Sequence, residues 1–353
     1  MKEYKIERYD EHKATAEELK AYYDFFMEIL SEARPDEPKR PYDKFIKQVL
    51  IHSKSMLIKR WVIWENKRII AYAIIYKTLD GENQHFPEVD IFVLPPFRRQ
   101  GIGRLMLAKL NEECIKLNCT KLEFSTFSNT PCGSEFLSAI GAENCTTEYV
   151  NQMIVKDLDI KLMESWMTKA SERAMDYEID LWVDAYPEIE LEAFTKLYND
   201  FWNSIPTGSL DYEYEELTPE RLRNEMDSKI KRGWKNWIMV AKHKSSGEYA
   251  GFTSLIFTGF NPEMLNQGNT GVAIAHRNKG LGRWLKAALV KLVLSEMPNV
   301  KKIRSENDTT NTPMLNINNQ MGFKPIYSES YWKVTIENVV EYLKKINFKE
   351  DGE

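Results

Sequence analysis

The strongest constraint on the fold of this 353-residue chain is an internal repeat. A strand-like segment at 89–93 (VDIFV) leads into RRQGIGR at 98–104 and then into a helix-like stretch. The same order returns 179 residues later, with RNKGLGR at 277–283 ahead of a second helix-like stretch. Each copy continues with a short strand and an Asn-Thr-Pro tripeptide, at Asn129 and at Asn311. Because order and spacing both recur, the sequence predicts two homologous domains.

The periodicity of apolar residues predicts the order α-α-β-β-β-α-β-α-β in each copy. We expect a first domain at 1–155, a linker helix at 156–176 and a second domain at 177–353, and the length is typical of two domains. The clearest predicted elements are helices at 15–31, 43–53, 188–204, 218–232 and 336–347, and hairpin strands at 61–64, 68–77, 237–243 and 248–258.

The composition excludes several classes of partner. Lys and Arg total 48 and Asp and Glu total 53, and the net charge of −5 disfavours binding to nucleic acid or to anionic membranes. The N-terminal segment is charged without an apolar core, and no apolar run approaches the roughly 18 residues that cross a bilayer, so we expect a cytoplasmic protein. The four cysteines are typical of structural thiols, and no histidine stands at zinc-ligand spacing. We therefore predict no metal.

The two glycine turns are candidate phosphate sites. A glycine lets the main chain approach a ligand closely, and the N–H groups and dipole of the following helix attract phosphate. A tight loop without a ligand is the alternative for a single turn, but two copies with basic residues ahead of the glycines favour phosphate binding. The candidate cofactor-binding residues are Val93, Arg98, Arg99, Gln100, Gly101, Ile102, Gly103, Arg104, Asn129, Ile274, Arg277, Asn278, Lys279, Gly280, Leu281, Gly282, Arg283 and Asn311.

The turns do not match the commonest nucleotide motifs. A dinucleotide-binding turn would carry a third glycine, where Met106 and Leu285 stand, and neither turn has the Gly-Lys-Ser/Thr of a P-loop. Both turns resemble the pyrophosphate-binding motif Gln/Arg-x-x-Gly-x-Gly/Ala of the GNAT acyltransferase superfamily. The segment from Asn311 to Phe323 is similar to that family's second cofactor segment, whereas Ala142 replaces the usual Phe in the first copy. The resemblance covers both halves, as in GNAT proteins of the tandem two-domain type.

This resemblance implies a fold and an activity. The fold class is α/β (α+β), with two tandem GNAT-type acyl-CoA N-acyltransferase folds, each a mixed and mostly antiparallel sheet flanked by helices. The fourth and fifth strands would separate and hold the pantetheine arm of acetyl-CoA. The implied reaction is transfer of acetyl from acetyl-CoA to a primary amine of a small molecule or peptide, by direct attack in a ternary complex. The partners would be acetyl-CoA and a small-molecule amine, without nucleic acid or membrane.

Two carboxylates are candidates for the general base that such a reaction uses. Glu88 and Asp90 lie two apart on a strand and so share one face. In the family a carboxylate on this strand often acts as base; the alternative is that both are solvent-facing acids on a strand edge. The second copy has Gln267 and Asn269 instead, neither of which accepts a proton, and Glu306 is its nearest acid.

Other assignments stay open at this stage. Phe136 and Asn318 occupy the regions where the family often has a tyrosine that protonates the leaving sulfur, and Tyr327 and Tyr331 are fallback donors. The acidic run 211–216 lines a cationic acceptor site or is a solvated loop. Either half is a candidate for the active one. The alternative functions are an acyl-CoA sensor or scaffold that binds without full catalysis, and transfer of an aminoacyl or longer acyl chain.

Overall fold

The computed structural model describes residues 3–350, whose helices and strands alternate along the chain. The α-helices are α1 Ala16–Ala33, α2 Tyr42–Val49, α3 Ile102–Lys116, α4 Cys132–Ala139, α5 Ile160–Arg173, α6 Glu188–Trp202, α7 Pro219–Lys231, α8 Leu281–Glu296, α9 Thr312–Gln320 and α10 Ile336–Glu350. The strands are β1 Ile6–Tyr9, β2 Met56–Glu65, β3 Arg68–Thr78, β4 Glu88–Val93, β5 Lys121–Phe127, β6 Glu143–Ile154, β7 Tyr177–Val183, β8 Lys235–His243, β9 Tyr249–Phe257, β10 Met264–Val272, β11 Lys302–Asp308 and β12 Lys324–Thr335.

Local sequence explains where several helices begin. Thr15 accepts a hydrogen bond from the Glu18 N–H while the Glu18 carboxylate accepts from the Thr15 N–H, a capping box that starts α1. Thr218 caps α7 by accepting from the Arg221 N–H at 3.1 Å, and a proline follows it at the first helical position. These side chains satisfy amide groups that a helix end otherwise leaves unpaired.

The chain forms two compact units, each of which contains segments from both sequence copies. The first unit holds the residues through Thr147, residues 207–213 and the residues from Ser328 onward. The second unit holds Glu148–Pro206 and Tyr214–Tyr327. The units are therefore discontinuous in sequence, whereas the boundaries at 155 and 176 divide the chain into contiguous domains and stay a prediction.

The sheet of the first unit runs in the order β1-β2-β3-β4-β5-β12. All neighbours are antiparallel except β4 and β5, which are parallel. Helices α3 and α10 pack on one face, over a core that includes Leu107, Leu122 and Val334. Helices α1 and α2 cover the other face, where Tyr22 and Tyr72 contact at 5.6 Å between ring centroids.

The sheet of the second unit has the same plan, in the order β7-β8-β9-β10-β11-β6. Here β10 and β11 are the parallel neighbours. Helices α5 and α8 pack on one face and α6 and α7 lie on the other, where Phe194 and Phe252 contact at 5.4 Å. The mixed, mostly antiparallel sheet flanked by helices is confirmed in both units.

One feature differs from the sequence expectation. Each sequence copy has an early strand, β1 or β7, that the predicted order omits; β1 has only four residues, too few to establish an alternating pattern. The segment 156–176, predicted as a linker helix, contains α5, which packs against α8 within the second unit, and its role as a linker stays a prediction. Within residues 3–350, none of the helices is long and apolar enough to cross a membrane.

Candidate active site

The two glycine turns adopt the same backbone conformation. Gly101 has φ 83° and Gly280 has φ 85°, both in the left-handed region that glycine tolerates, and each immediately precedes a helix. Arg99 and Asn278, two residues earlier, are also left-handed, with φ 63° and 65°. Left-handed residues of this kind occur in the nests of backbone N–H groups that bind anions.

The space beside the glycine of each turn is largely free of protein atoms. A Cβ added at Gly280 would meet nothing within 4 Å, and one at Gly101 would meet only the Arg104 guanidinium, at 3.6 Å. The first intrahelical bonds go from Leu105 to the Gly101 carbonyl and from Trp284 to the Gly280 carbonyl, both at 3.0 Å. The preceding amides at each helix start therefore point outward from the helix end, and the residues present fit the diphosphate of a coenzyme A ester.

The first arginine of each motif forms a hydrogen bond to the strand end that precedes its own turn. Arg98 donates from Nε to the Val93 carbonyl at 2.9 Å, and Arg277 donates in the same way to the Val272 carbonyl at 3.1 Å. Arg98 also forms a two-pronged ion pair with Glu32 of α1, with Nη1 2.6 Å from Oε1. The structure thus uses the Arg98 guanidinium to hold the turn against α1, and a phosphate contact by Arg98 stays a prediction.

The third residue of each motif contacts a tyrosine at or next to the edge strand, β1 or β7, of its sheet. Tyr4 donates to Gln100 Oε1 at 2.9 Å in the first unit, and Lys279 donates to the Tyr177 hydroxyl at 2.9 Å in the second. Tyr177 also shares a 2.8 Å hydrogen bond with His276 Nδ1.

The remaining predicted cofactor residues have varied surroundings. Asn129 donates to the Ala33 carbonyl at 2.9 Å and so secures the end of α1, whereas Asn311 caps α9. Arg283 lies 5.7 Å from the ring centroid of Trp166, and Ile274 is 79% exposed. The other residues of the set line the turns or the first helical turn: Ile102 and Leu281 are buried, while Val93, Gly103, Arg104 and Gly282 are half-buried.

The parallel strands separate next to the predicted acids. Among the described residues, β4 and β5 pair only at Glu88 and Glu123, and the Glu123 N–H donates to the Pro87 carbonyl at 3.0 Å. From Asp90 onward β4 stays paired with β3 while β5 stays paired with β12. The gap that opens has the position expected for a cofactor arm.

Three carboxylates share the sheet face at this junction. Strand alternation places Glu88 and Asp90 of β4 and Glu123 of β5 opposite the core-facing residues Val89 and Leu122. Glu88 reaches solvent, Asp90 is half-buried, and Glu123 is 8% exposed. The structure therefore brings together both predicted acids and adds Glu123, which sequence reasoning missed because the partner of Glu88 depends on strand register.

Burial and mutual repulsion raise the proton affinity of these groups. Desolvation raises the pKa of Glu88, and it raises that of Asp90 well above its usual range with help from the charges of Glu88, Glu329 and Glu123. Desolvation also raises the pKa of Glu123 to about 7, against the opposing effect of a hydrogen bond from Tyr212. Carboxyl groups of this kind exchange protons near neutral pH.

The second unit has no such acids at the matching place. Gln267 donates to the Ser254 carbonyl at 2.6 Å, and Asn269 donates to the Tyr198 hydroxyl at 3.1 Å. β10 pairs with β11 over 264–266, where Arg304 lies opposite Asn266. Glu306, the predicted acid of this half, is exposed on β11 opposite Val150 of β6.

The fallback proton donors fall in different units. Tyr331 lies on β12 opposite Ser125 in the first unit, and Tyr327 lies in the second unit with its ring 5.8 Å from the Arg304 guanidinium. Phe136 packs partly buried against the core of the first unit. Their roles as proton donors stay predictions.

A polar cluster that the sequence analysis missed lies inside the second unit. Lys286 of α8 is 1% exposed and donates to Asn318 Oδ1 at 2.7 Å. Asn318 in turn donates to Asn307 Oδ1 at 2.6 Å. Counted from the glycine turns, the position of the first unit that corresponds to Lys286 holds the buried Leu107. Burial lowers the pKa of Lys286 to about 7.

A second cluster lies in the first unit, where ligand atoms of Glu11, His12 and His52 are within 4.8 Å of one another. His52 Nε2 is 2.6 Å from Glu11 Oε1, and the buried Arg60 guanidinium pairs with the same oxygen. Because Arg60 already supplies the counter-charge of Glu11, we assign this cluster to an ion-pair network.

Comparison with known proteins bears on the family. Residues 19–132 match the model of the acetyltransferase (GNAT) family. No curated protein matches the chain in sequence.

Solved structures resemble the chain over nearly its whole length. A tandem GNAT protein from the clavulanic acid biosynthesis pathway has a TM-score of 0.76 at 22% identity, covering 95% of this chain and 99% of that one. A GCN5-related N-acetyltransferase from Sphaerobacter thermophilus has a TM-score of 0.65 at 14% identity, covering 94% and 96%. A glucosamine N-acetyltransferase region of a fungal multi-domain β-N-acetylglucosaminidase has a TM-score of 0.64 at 12% identity, covering 94% and 38%.

At these identities the structural likeness establishes the fold, while the family model covers the turn and the acids of the first unit. Together with the shared plan of both units, they confirm the resemblance that the glycine turns indicate. Residues 19–132 therefore match the GNAT acetyltransferase family, and both units have the fold of the tandem GNAT structure.

Proposed function

We propose that the chain transfers an acetyl group from acetyl-CoA to a primary amine of a small molecule or peptide, and that the first unit carries out the transfer. The observation that carries this proposal is the group of Glu88, Asp90 and Glu123 beside the gap between β4 and β5. At the positions that correspond in sequence to Glu88 and Asp90, the second unit has the amides Gln267 and Asn269.

Acetyl transfer to an amine requires a general base such as a carboxylate. An alkyl amine with a pKa of about 10 arrives protonated at neutral pH and must lose a proton before it attacks. Glu88, which reaches solvent, is placed to take that proton, and Asp90 beside it raises the affinity of the pair for it. Acetyl-CoA supplies the activated thioester. The neutral amine nitrogen bonds to the thioester carbonyl carbon, the carbon–sulfur bond breaks, and the proton that the nitrogen then loses protonates the leaving thiolate.

The second unit favours binding without transfer. It keeps the open nest at Gly280, yet Gln267 and Asn269 accept no proton at neutral pH. We propose that this unit binds the same cofactor in a structural or sensing role, which is the non-catalytic alternative confined to one half.

Thiol release from acetyl-CoA with a panel of amines tests the proposal. We expect Glu88→Gln and Asp90→Asn to lower acceptor-dependent release by about 100-fold or more, the usual contribution of a general base. Glu135→Gln, an exposed acid on α4 of the same unit, is the matched control and should keep wild-type activity. Release that survives both carboxylate variants, or that depends on Glu306 instead, would contradict the assignment to the first unit.

A further inference from the structure

The segment 207–213 belongs to the second sequence copy but lies in the first unit. Lys333 of β12 donates to Asp211 Oδ2 at 2.6 Å, and Lys121 of β5 approaches the same oxygen at 3.3 Å. Asn83 and Glu213 exchange two hydrogen bonds, of 2.9 and 3.1 Å. Polar contacts to three parts of the first unit thus hold the segment in place.

Backbone packing fixes the segment further. Gly208 has φ 59°, and a Cβ there would stand 2.0 Å from the Cys145 carbonyl oxygen. Ser209 donates its N–H to that same oxygen at 3.3 Å. Only a glycine permits this close approach, so the path of the segment over the first unit is closely defined.

The segment places Tyr212 beside the acids of the proposed active site. The Tyr212 hydroxyl donates a short hydrogen bond to Glu123 Oε2, and its ring lies 5.5 Å from the ring of Phe86. Desolvation and the charge of Glu123 raise the pKa of the Tyr212 phenol, so it stays protonated and remains a donor at neutral pH.

Other charged groups face Glu123 from the neighbouring strands. Glu88 and Asp90 of β4 and Glu329 of β12 are acidic, and Tyr76 of β3 lies opposite Glu88. Lys333 lies directly opposite Glu123 on β12, but its ammonium is engaged by Asp211 and, at 3.3 Å, by Glu143.

Among the side chains that the structure describes, Tyr212 is therefore the one that donates to this buried carboxylate. We propose that Tyr212 is a positioning residue, supplied by the second sequence copy, whose hydrogen bond holds Glu123 as an anion and thereby sets how tightly Glu88 and Asp90 bind the proton of the acceptor amine. This inference rests on the proposed function of the first unit. A hydrogen bond to the ionised form favours that form, and a charged Glu123 in turn favours protonation of its acidic neighbours.

Tyr212→Phe removes one oxygen and should leave the fold intact. In protein labelled with ¹³C at the glutamate carboxyls, we expect the titration of Glu123 to move upward by about one pH unit, because the anion loses its donor. The acid limb of kcat/KM for acetyl transfer should move to lower pH, because a neutral Glu123 no longer raises the proton affinity of Asp90. Tyr214→Phe, at a site 65% exposed, is the matched control and should move neither curve.

The two readouts separate the possible failures. If the wild type releases no thiol with any amine, the proposed function fails, and the carboxyl titration alone decides whether Tyr212 controls Glu123. If the wild type is active and Tyr212→Phe leaves both the Glu123 titration and the acid limb in place, the inference is overturned. A loss of activity without movement of either curve also overturns it, because a merely structural role predicts that result.

Discussion

Lys286 is a fully buried amine in the second unit, and its replacement by leucine should stabilise that unit. The side chain is 1% exposed, and within the described part of the chain no carboxylate pairs with it. Desolvation lowers the pKa of Lys286 from 10.5 to about 7. Leu107, also fully buried, occupies the corresponding position of the first unit and shows that the fold accepts leucine there.

The size of the effect follows from the pKa difference. A shift of about 3.5 units corresponds to about 5 kcal/mol by which folding disfavours the charged amine. The unfolded chain binds this proton more tightly, so stability should rise with pH from about 7 to 10.5, and the full penalty applies below pH 7. Leucine removes the penalty but leaves the Asn318 carbonyl without its donor, at a cost of about 1–3 kcal/mol. The net gain at neutral pH should be about 2–4 kcal/mol.

Urea unfolding of the wild type and of Lys286→Leu at pH 7 and pH 10 measures this gain. Hydrogen exchange on peptides from α8 and β11 assigns the change to the second unit. The difference should shrink toward pH 10, and Lys286→Leu with Asn318→Leu should recover the cost of the unpaired carbonyl. Lys291→Leu, at an exposed position of the same helix, should show no such pH dependence. A variant less stable than the wild type at pH 7, or a difference that ignores pH, would refute the reasoning.

Three further outcomes are expected. Asp90→Asn should stabilise the protein against unfolding more at pH 8 than at pH 5, each relative to the wild type. The raised pKa of Asp90 means that the wild type loses stability as pH rises, whereas asparagine does not ionise. A difference between variant and wild type that is equal at both pH values would argue against this. Acetyl transfer should increase with pH on the acid side of its optimum, because burial raises the pKa of Glu88 and of Asp90 and the base must ionise before it accepts a proton, and a flat profile would count against this pair. Gly101→Val and Gly280→Val should each weaken acetyl-CoA binding in its own unit by about tenfold or more in calorimetry, since a β-branched residue at positive φ distorts the turn. The control Gly103→Ala should bind normally. Unchanged affinity in both valine variants would contradict the phosphate assignment.

The sequence predicted those features that depend on short stretches of chain. The motifs around Gly101 and Gly280 fold into matching turns because glycine at a helix start determines backbone geometry locally. The hairpin β2–β3 and the capped start of α7 follow from turn and capping residues within a few positions. The repeated order of such elements predicted two similar domains, and the resemblance of both turns to the GNAT motif implied the fold that the structure confirms in both units.

The surroundings of individual side chains depended on contacts between distant residues. Arg98 has the expected place in its motif, yet only folding brings Glu32 to its guanidinium. Glu123 lies beside Glu88 because of strand register, which alternation along a single strand does not specify.

The sequence by itself determined that the chain holds two similar copies, each with a glycine turn at the start of a helix, because neighbouring residues specify both the order of elements and the local backbone geometry. Only the tertiary structure decided that Tyr212 of the second copy contacts Glu123 of the first unit, and that Lys286 is buried with no carboxylate partner among the described residues. Proton affinity is set by desolvation and by charges brought near from remote parts of the chain, so it exists only once the chain has folded.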